Sequence, residues 1–338
     1  MREPPVTLAD ETLRACLRDR YGLAATEVTF LPLGYDASAW VYRVRAADGA
    51  TYFLKARLSL ANEAGLLVPR YLRDHGVARV VAPLPTRTGE LWTDAGNAVL
   101  ILYPFVAGTA ARDCGMTAEQ WVAYGALLRQ VHDTAITPDL ARVLRRDAFL
   151  PEWAAMVRRL DVHIGTRTFD DPTERLLADF WRQRRGEIRT LVDRAEALGR
   201  RLADAAPAQV LCHADIHTAN VLVDTAGQVW FVDWDETLLA PRERDLMFVV
   251  GGISSTLVGP QDEARFFEGY GATAVDPVAL AYYRYSWAVG DIGSFGEQVF
   301  FRADCGPAAK REAAELLMGV FSPGEIVALA FASEEAAG

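Results

Sequence analysis

The stretch L-C-H-A-D-I-H-T-A-N-V-L-V-D-T-A-G-Q-V-W-F-V-D-W-D-E, Leu211 to Glu236, sets polar side chains between short apolar runs. Val221-Leu222-Val223 reads as a strand, Asp224-Thr225-Ala226-Gly227 as its turn and Gln228 to Val232 as the returning strand, because β-formers flank an Asp- and Gly-containing break. Pairing across that turn sets Asn220 opposite Phe231. Asp233, two residues on, then shares the face of Phe231, since side chains alternate along a strand. The hairpin thus delivers an amide and a carboxylate to one end, with Asp215 just upstream in a loop. An amide oxygen beside a carboxylate suits a Mg²⁺ ion bound to nucleotide phosphates, which takes few protein ligands and keeps water and phosphate oxygens. The candidate functional residues here are His213, Asp215, Asn220 and Asp233.

This spacing resembles the catalytic loop H-x-D-x-x-x-x-N of the protein-kinase-like fold, where a hairpin follows that ends in a metal-binding Asp. Three departures stand out: Ala214 replaces the loop Arg, Asp233-Trp234-Asp235 replaces D-F-G, and no A-P-E segment follows. An H-x-D-x-H loop with a D-x-D ending resembles the aminoglycoside phosphotransferase family. The run through Trp234-Asp235-Glu236 to Leu239-Ala240-Pro241, then Glu243-Arg244-Asp245-Leu246-Met247-Phe248, is most similar to its spectinomycin phosphotransferase branch. Other readings stay open from the residues themselves. His213, Asp215 and His217 also fit part of a di-metal phosphohydrolase site, and the acids also fit turn and helix-cap positions.

The chain has 338 residues, enough for two sub-domains, and 51% are hydrophobic, which supports a sizeable core. A net charge of −10 argues against a nucleic-acid partner, which needs a basic footprint, and suits a cationic one. Only Lys55 and Lys310 are lysines, so a site that requires one has two candidates. The four cysteines are scattered without a C-x-x-C, which speaks against disulfides and zinc and for a reducing, cytoplasmic setting. The longest apolar run, around Ala98 to Val106, is too short to span a bilayer and contains Pro104, so no membrane association is expected.

Ahead of the loop, Leu8 to Arg20 has helical apolar spacing. Trp40 to Arg45 and Thr51 to Arg57 read as strands joined at Asp48-Gly49. Glu90 to Thr93 and Ala98 to Tyr103 form a second hairpin around Asp94-Ala95-Gly96-Asn97. Lys55 sits among apolar residues of a strand, where its ammonium needs an anion. Pro69 requires the helix that carries Glu63 to be short, or opens a second helix through Asp74. The proline and glycine of Tyr103-Pro104-Phe105-Val106-Ala107-Gly108 mark a connector. Beyond it, Thr117-Ala118-Glu119-Gln120 is a capping box, and Trp121, Tyr124, Leu128, Val131 and His132 recur at helical spacing. Phe149 to Ala206 is helical again, with Thr173 to Leu202 as one long helix or a pair.

The resemblance implies an α+β, bilobal, protein-kinase-like fold: a small antiparallel-sheet N-lobe with the hinge over 1–106, and a larger, mainly helical C-lobe over 107–338. It implies ATP and Mg²⁺ as cofactors and an alcohol as phosphoryl acceptor. Lys55, supported by Glu63, would hold the α- and β-phosphates. Ser38 would approach a phosphate in the loop after Gly34, and the hinge residues Tyr103 and Phe105 would hold the adenine. Asn220 and Asp233 would ligate the metal, and Asp215 would act on the substrate hydroxyl. Asp245 would brace the catalytic loop. Asp235, Glu236 and Asp291 are candidate carboxylates for a small, cationic aminocyclitol substrate. The branch resemblance implies spectinomycin, and with it antibiotic resistance, on a monomer or weak dimer. A metabolic kinase for homoserine, choline or a sugar is the alternative within the fold, and a nucleotide-binding regulator without transfer activity is the alternative outside catalysis.

Overall fold

The computed structural model describes residues 8–32, 39–60, 62–303 and 305–335. Ser38 and Gly34 lie outside the described residues. The chain divides into two compact units, 1–145 with 213–238 and 146–212 with 239–338. This is not a single cut at 106/107: the loop-and-hairpin segment packs into the first unit although the long helices precede it in sequence.

The first unit opens with α1 (Asp10–Tyr21), which has acids in its first turn and Arg18 and Arg20 in its last, the order that the helix dipole favours. Gly22, at φ 69°, closes it, and its N–H donates to the Arg18 carbonyl. Then come β1 (Ala25–Leu31), β2 (Ala39–Ala46), β3 (Thr51–Arg57), α2 (Ala64–Asp74), β4 (Thr93–Ala95) and β5 (Ala98–Pro104). The strands form one antiparallel sheet in the order β1-β2-β3-β5-β4. Alternation divides β3 between two faces: Leu54 and Ala56 are buried in a core with Leu13 and Leu17 of α1, which leaves Phe53, Lys55 and Arg57 on the other face.

Two expectations are corrected here. The first strand of the second hairpin is the short Thr93–Ala95 rather than Glu90 to Thr93, because Ala95 pairs with Ala98 and leaves only Gly96-Asn97 as the turn. Pro69 neither ends nor starts a helix. It lies inside the single helix α2, where its missing N–H costs one backbone hydrogen bond, and six buried residues of that helix offset the loss.

The connector enters β6 (Gly108–Ala110), followed by α3 (Ala111–Cys114), α4 (Ala118–His132) and α5 (Pro138–Val143). Thr117 and Gln120 close a reciprocal capping box on α4, as read from the sequence. The expected stripe of Trp121, Tyr124, Leu128, Val131 and His132 is buried.

The second unit begins with α6 (Ala154–Thr166), the continuous 34-residue α7 (Pro172–Ala205) and β7 (Val210–Cys212). Asp161 of α6 accepts hydrogen bonds from Trp181, Arg185 and Arg189 of α7, which ties the two helices together. The chain returns to the first unit for β8 (Val221–Asp224) and β9 (Val229–Phe231), which make a three-stranded sheet in the order β6-β8-β9. It ends with β10 (Leu238–Ala240), α8 (Glu243–Leu246), α9 (Pro260–Tyr270), α10 (Pro277–Phe300), α11 (Pro307–Gly319) and α12 (Ile326–Glu335). The mixed fold matches expectation, with a five-stranded antiparallel sheet near the N-terminus and helices dominating the C-terminal part. No described helix is long and apolar enough to cross a membrane.

Candidate active site

The site is built within the first unit, from the open face of β3 and the end of the β8–β9 hairpin. The Lys55 ammonium donates to Asp233 Oδ1 at 2.9 Å and to Asp235 Oδ2 at 2.8 Å, and Arg57, two residues along the same strand face, also pairs with Asp235. Burial alone would push the lysine pKa down, but Asp233 and Asp235 outweigh it and raise the pKa above the ordinary value, so Lys55 is charged. Burial likewise opposes ionisation of Asp233, and Lys55 beside it more than compensates, holding that carboxyl below its usual range.

The hairpin has a register one residue away from expectation. Val221 pairs with Phe231, so Asn220 stands opposite Val232, whose N–H donates to the Asn220 carbonyl at 3.1 Å. The turn sets the shift: the Asp224 N–H donates to the Gln228 carbonyl at 2.9 Å and its carboxylate accepts from the N–H groups of Ala226 and Gln228, so Asp224 joins β8 and only Thr225-Ala226-Gly227 remain as the loop. The ladder ends at Phe231, and Asp233 adopts φ 61°. Strand alternation therefore does not carry Asp233 to its place; a left-handed backbone turn does, a conformation that a non-glycine residue adopts only where its surroundings hold it.

Asp215 lies in the loop before β8. Its Oδ2 accepts from the Asn220 amide nitrogen at 2.8 Å, and its Oδ1 lies 3.3 Å from His217 Nε2. His217 Nδ1 accepts from the Ala219 N–H, so its ring proton sits on Nε2 and points at the carboxylate. Burial, with His213 and Arg112 nearby, lowers the His217 pKa to about 4, so the ring is neutral near pH 7. His213 is fully buried, holds the Val232 carbonyl through Nε2 at 2.9 Å and receives the Asp215 N–H on Nδ1. Tyr124 of α4 donates its hydroxyl proton to the Ile216 carbonyl at 2.6 Å. Sequence reasoning gave His217 a place only in the di-metal alternative and read Tyr124 only as core. The helical stripe that buries Tyr124 carried no sign of its hydroxyl's partner.

The Asn220 amide nitrogen is committed to Asp215, which leaves the amide oxygen as its outward ligand atom. Asp233 is 47% exposed at its side chain and uses one oxygen on Lys55, so the other is available. Two hard oxygens with room for waters and phosphate oxygens fit Mg²⁺ and do not fit a soft metal. Around them lies a cavity of about 510 Å³, lined by Val41, Phe53, Tyr103, Phe105 and Leu222 as well as Lys55, Asn220 and Asp233. Mostly apolar walls with a few converging charges suit a planar base carrying a phosphate chain. Gly108 closes the cavity where β6 meets β8: a Cβ there would stand 2.4 Å from the Val223 carbonyl oxygen, so only glycine permits that approach.

The remaining predicted residues stand elsewhere. The expected Lys55–Glu63 pair is not formed: Glu63 is exposed at the head of α2, and Lys55 spends its charge on the two aspartates. Asp235 is held by Lys55 and Arg57 rather than left open for a substrate. Glu236 is exposed and pairs with Arg145 at 3.1 Å. In the second unit, Asp291 is half-buried on α10 with its carboxyl pushed up to about 7 by desolvation, and Asp245 is fully buried in α8.

Residues 27–283 match the pattern of the Phosphotransferase enzyme family. The chain belongs to this family. The phosphotransferase is 31% identical to spectinomycin phosphotransferase APH(9)-Ia solved with ADP and spectinomycin, over 97% of this chain and 99% of that one, with a TM-score of 0.89. The AMP-bound form of APH(9)-Ia gives 30% identity, 96% and 98% coverage and a TM-score of 0.82. The amicoumacin kinase hAmiN, at 18% identity over 95% and 97% of the two chains and a TM-score of 0.60, shares the fold. A comparison with curated protein sequences gave no match. With this membership, the phosphotransferase is an enzyme whose acceptor is an alcohol group.

Proposed function

We propose that this chain moves the γ-phosphoryl group of ATP onto a hydroxyl of spectinomycin, a cationic aminocyclitol, and so inactivates the antibiotic. The observation that carries the proposal is the near full-length likeness to APH(9)-Ia, which was solved with a nucleotide and spectinomycin together. The convergence of Lys55, Asp215, Asn220 and Asp233 supports the chemistry. Lys55 binds the α- and β-phosphates, Ser38 is a further candidate for them, and Tyr103 and Phe105 hold the adenine. Asn220 and Asp233 would hold Mg²⁺, which would supply neutralisation of the phosphate charge. Asp215, fixed by Asn220 and His217, orients the acceptor hydroxyl and takes its proton. Positioning and charge neutralisation supply the rate, since phosphoryl transfer needs little covalent work from the protein. Glu236 is the candidate carboxylate for the cationic acceptor beside the loop-and-hairpin segment, and the enzyme works in the cytoplasm as a monomer or weak dimer.

A coupled assay of nucleotide turnover with Mg-ATP across spectinomycin, kanamycin, hygromycin, a macrolide, homoserine and choline tests this. Turnover that depends on spectinomycin is expected. Silence on every antibiotic with turnover on homoserine or choline would favour a metabolic small-alcohol kinase instead, and nucleotide binding without any turnover would favour a regulatory protein.

A further inference from the structure

We propose that Asp235, aligned by Arg57, is the positioning residue that sets Lys55 for phosphate binding, in the place where a helix glutamate was expected. The inference rests on the reading of Lys55 as the phosphate-holding lysine. Three observations carry it. First, Lys55 and Arg57 lie two residues apart on one face of β3, and both cations converge on the same oxygen of Asp235. Second, the backbone of that segment is fastened to the start of α2. Asn62 donates its amide to the Asp235 carbonyl at 2.9 Å, while its amide oxygen accepts the Ala64 N–H at 3.0 Å. Gly65 leaves room for the contact: a Cβ there would lie 3.1 Å from both Asp235 Cα and the Trp234 carbonyl oxygen. Third, Glu63 is exposed and has no ion pair among the described residues.

The charges explain why a second carboxylate is needed. Lys55, Arg57, Asp233 and Asp235 form a cluster of two cations and two anions. Asp233 divides its carboxylate between Lys55 and, in the proposed reaction, the metal, so its hold on Lys55 weakens when the metal draws on its charge. A lysine whose side chain is 12% exposed would then face phosphate with no fixed anion behind it, which leaves its long stem free to wander. Asp235 removes that freedom. Arg57 keeps Asp235 from turning towards solvent, because a charge-assisted bond to a rigid guanidinium fixes the carboxylate's rotamer. The coupling between α2 and the lysine thus runs through Asn62, Gly65 and the Asp235 segment, and not through a side chain of α2 itself.

The test compares wild type, Asp235→Asn, Asp235→Glu and Glu63→Gln by calorimetric titration with Mg-ADP and by steady-state kinetics. Asp235→Asn is expected to weaken Mg-ADP binding by about tenfold or more, as loss of one partner of a buried charge pair does. The KM for ATP should rise in step while the KM for the acceptor alcohol stays within about twofold, which separates nucleotide positioning from acceptor contact. Asp235→Glu should recover part of the affinity, and Glu63→Gln should bind like wild type. An Asp235→Asn enzyme that loses only acceptor affinity would overturn the proposal. So would a tenfold loss of Mg-ADP binding in Glu63→Gln, a surface change that keeps the fold and is decisive even if Asp235→Asn does not fold. Wild type that fails to bind Mg-ADP would instead refute the reading of Lys55 and the cavity on which the proposal stands.

Discussion

His217 gives its only ring proton to Asp215 and must stay neutral to keep the geometry seen here, because Nδ1 is already an acceptor for the Ala219 N–H. Its folded pKa of about 4 lies below the ordinary 6.5, so between those values the unfolded chain binds more protons and stability falls as pH drops through that window. Chemical denaturation at pH 8 and pH 5 should show a smaller acid loss for His217→Gln than for wild type. Asp291 has the opposite sign. Its carboxyl, raised from 3.8 to about 7, binds more protons folded than unfolded, so its contribution to stability is present at low pH and is lost as pH rises towards 7. Asp291→Asn should raise the melting temperature at pH 8 by about 2 °C, with the gain vanishing near pH 4. If Asp291 also meets the cationic acceptor, the same variant binds that acceptor more weakly at pH 8, and equal affinity would remove it from the site. The residues that meet at the candidate site were legible in the sequence because Asp215, Asn220 and Asp233 stand at the offsets of an H-x-D-x-x-x-x-N loop followed by a hairpin. The partner of Lys55 was not legible. Strand alternation put Arg57 beside Lys55, yet nothing local showed that Asp235, some 180 residues away in the chain, would fold onto both.

Elements whose borders follow from local signals were read almost as they stand. The β2–β3 hairpin, the Thr117 cap of α4 and the extent of β3 all follow from turn chemistry and periodicity. Two elements escaped because side chains far from the usual positions decide them. Asp224 takes two backbone N–H groups and shifts the β8–β9 register by one residue, and buried contacts keep Pro69 inside α2. Within the second unit, α7 passes so close to the Phe149 carbonyl, at a residue of φ 56°, that a Cβ on Gly199 would stand 2.2 Å from its oxygen. Gly199→Ala therefore should destabilise by about 1–3 kcal/mol, because the overpacking exceeds the gain in helix propensity of about 1 kcal/mol. A denaturant midpoint at or above that of wild type would contradict the close approach.

At the scale of the whole molecule, the small antiparallel sheet and the loop-and-hairpin segment come together in one compact unit although about 100 residues of chain separate them. The fold class was legible from the motif and its resemblance. The discontinuous division of the chain was not, since no composition change marks where the long helices begin and end. That arrangement gives the claim on which the account depends: one cavity brings a lysine from β3 together with the amide and carboxylate ends of a hairpin, and Asp215, bonded to that amide, is proposed to act on a hydroxyl. The most direct measurement is mass spectrometry of spectinomycin after incubation with Mg-ATP and either wild type or Asp215→Ala. The account predicts one added phosphoryl group with wild type, and product formation slowed at least about a hundredfold in Asp215→Ala, the scale of a lost general base, while that variant still binds Mg-ADP. An Asp215→Ala enzyme that phosphorylates spectinomycin at the wild-type rate would contradict it.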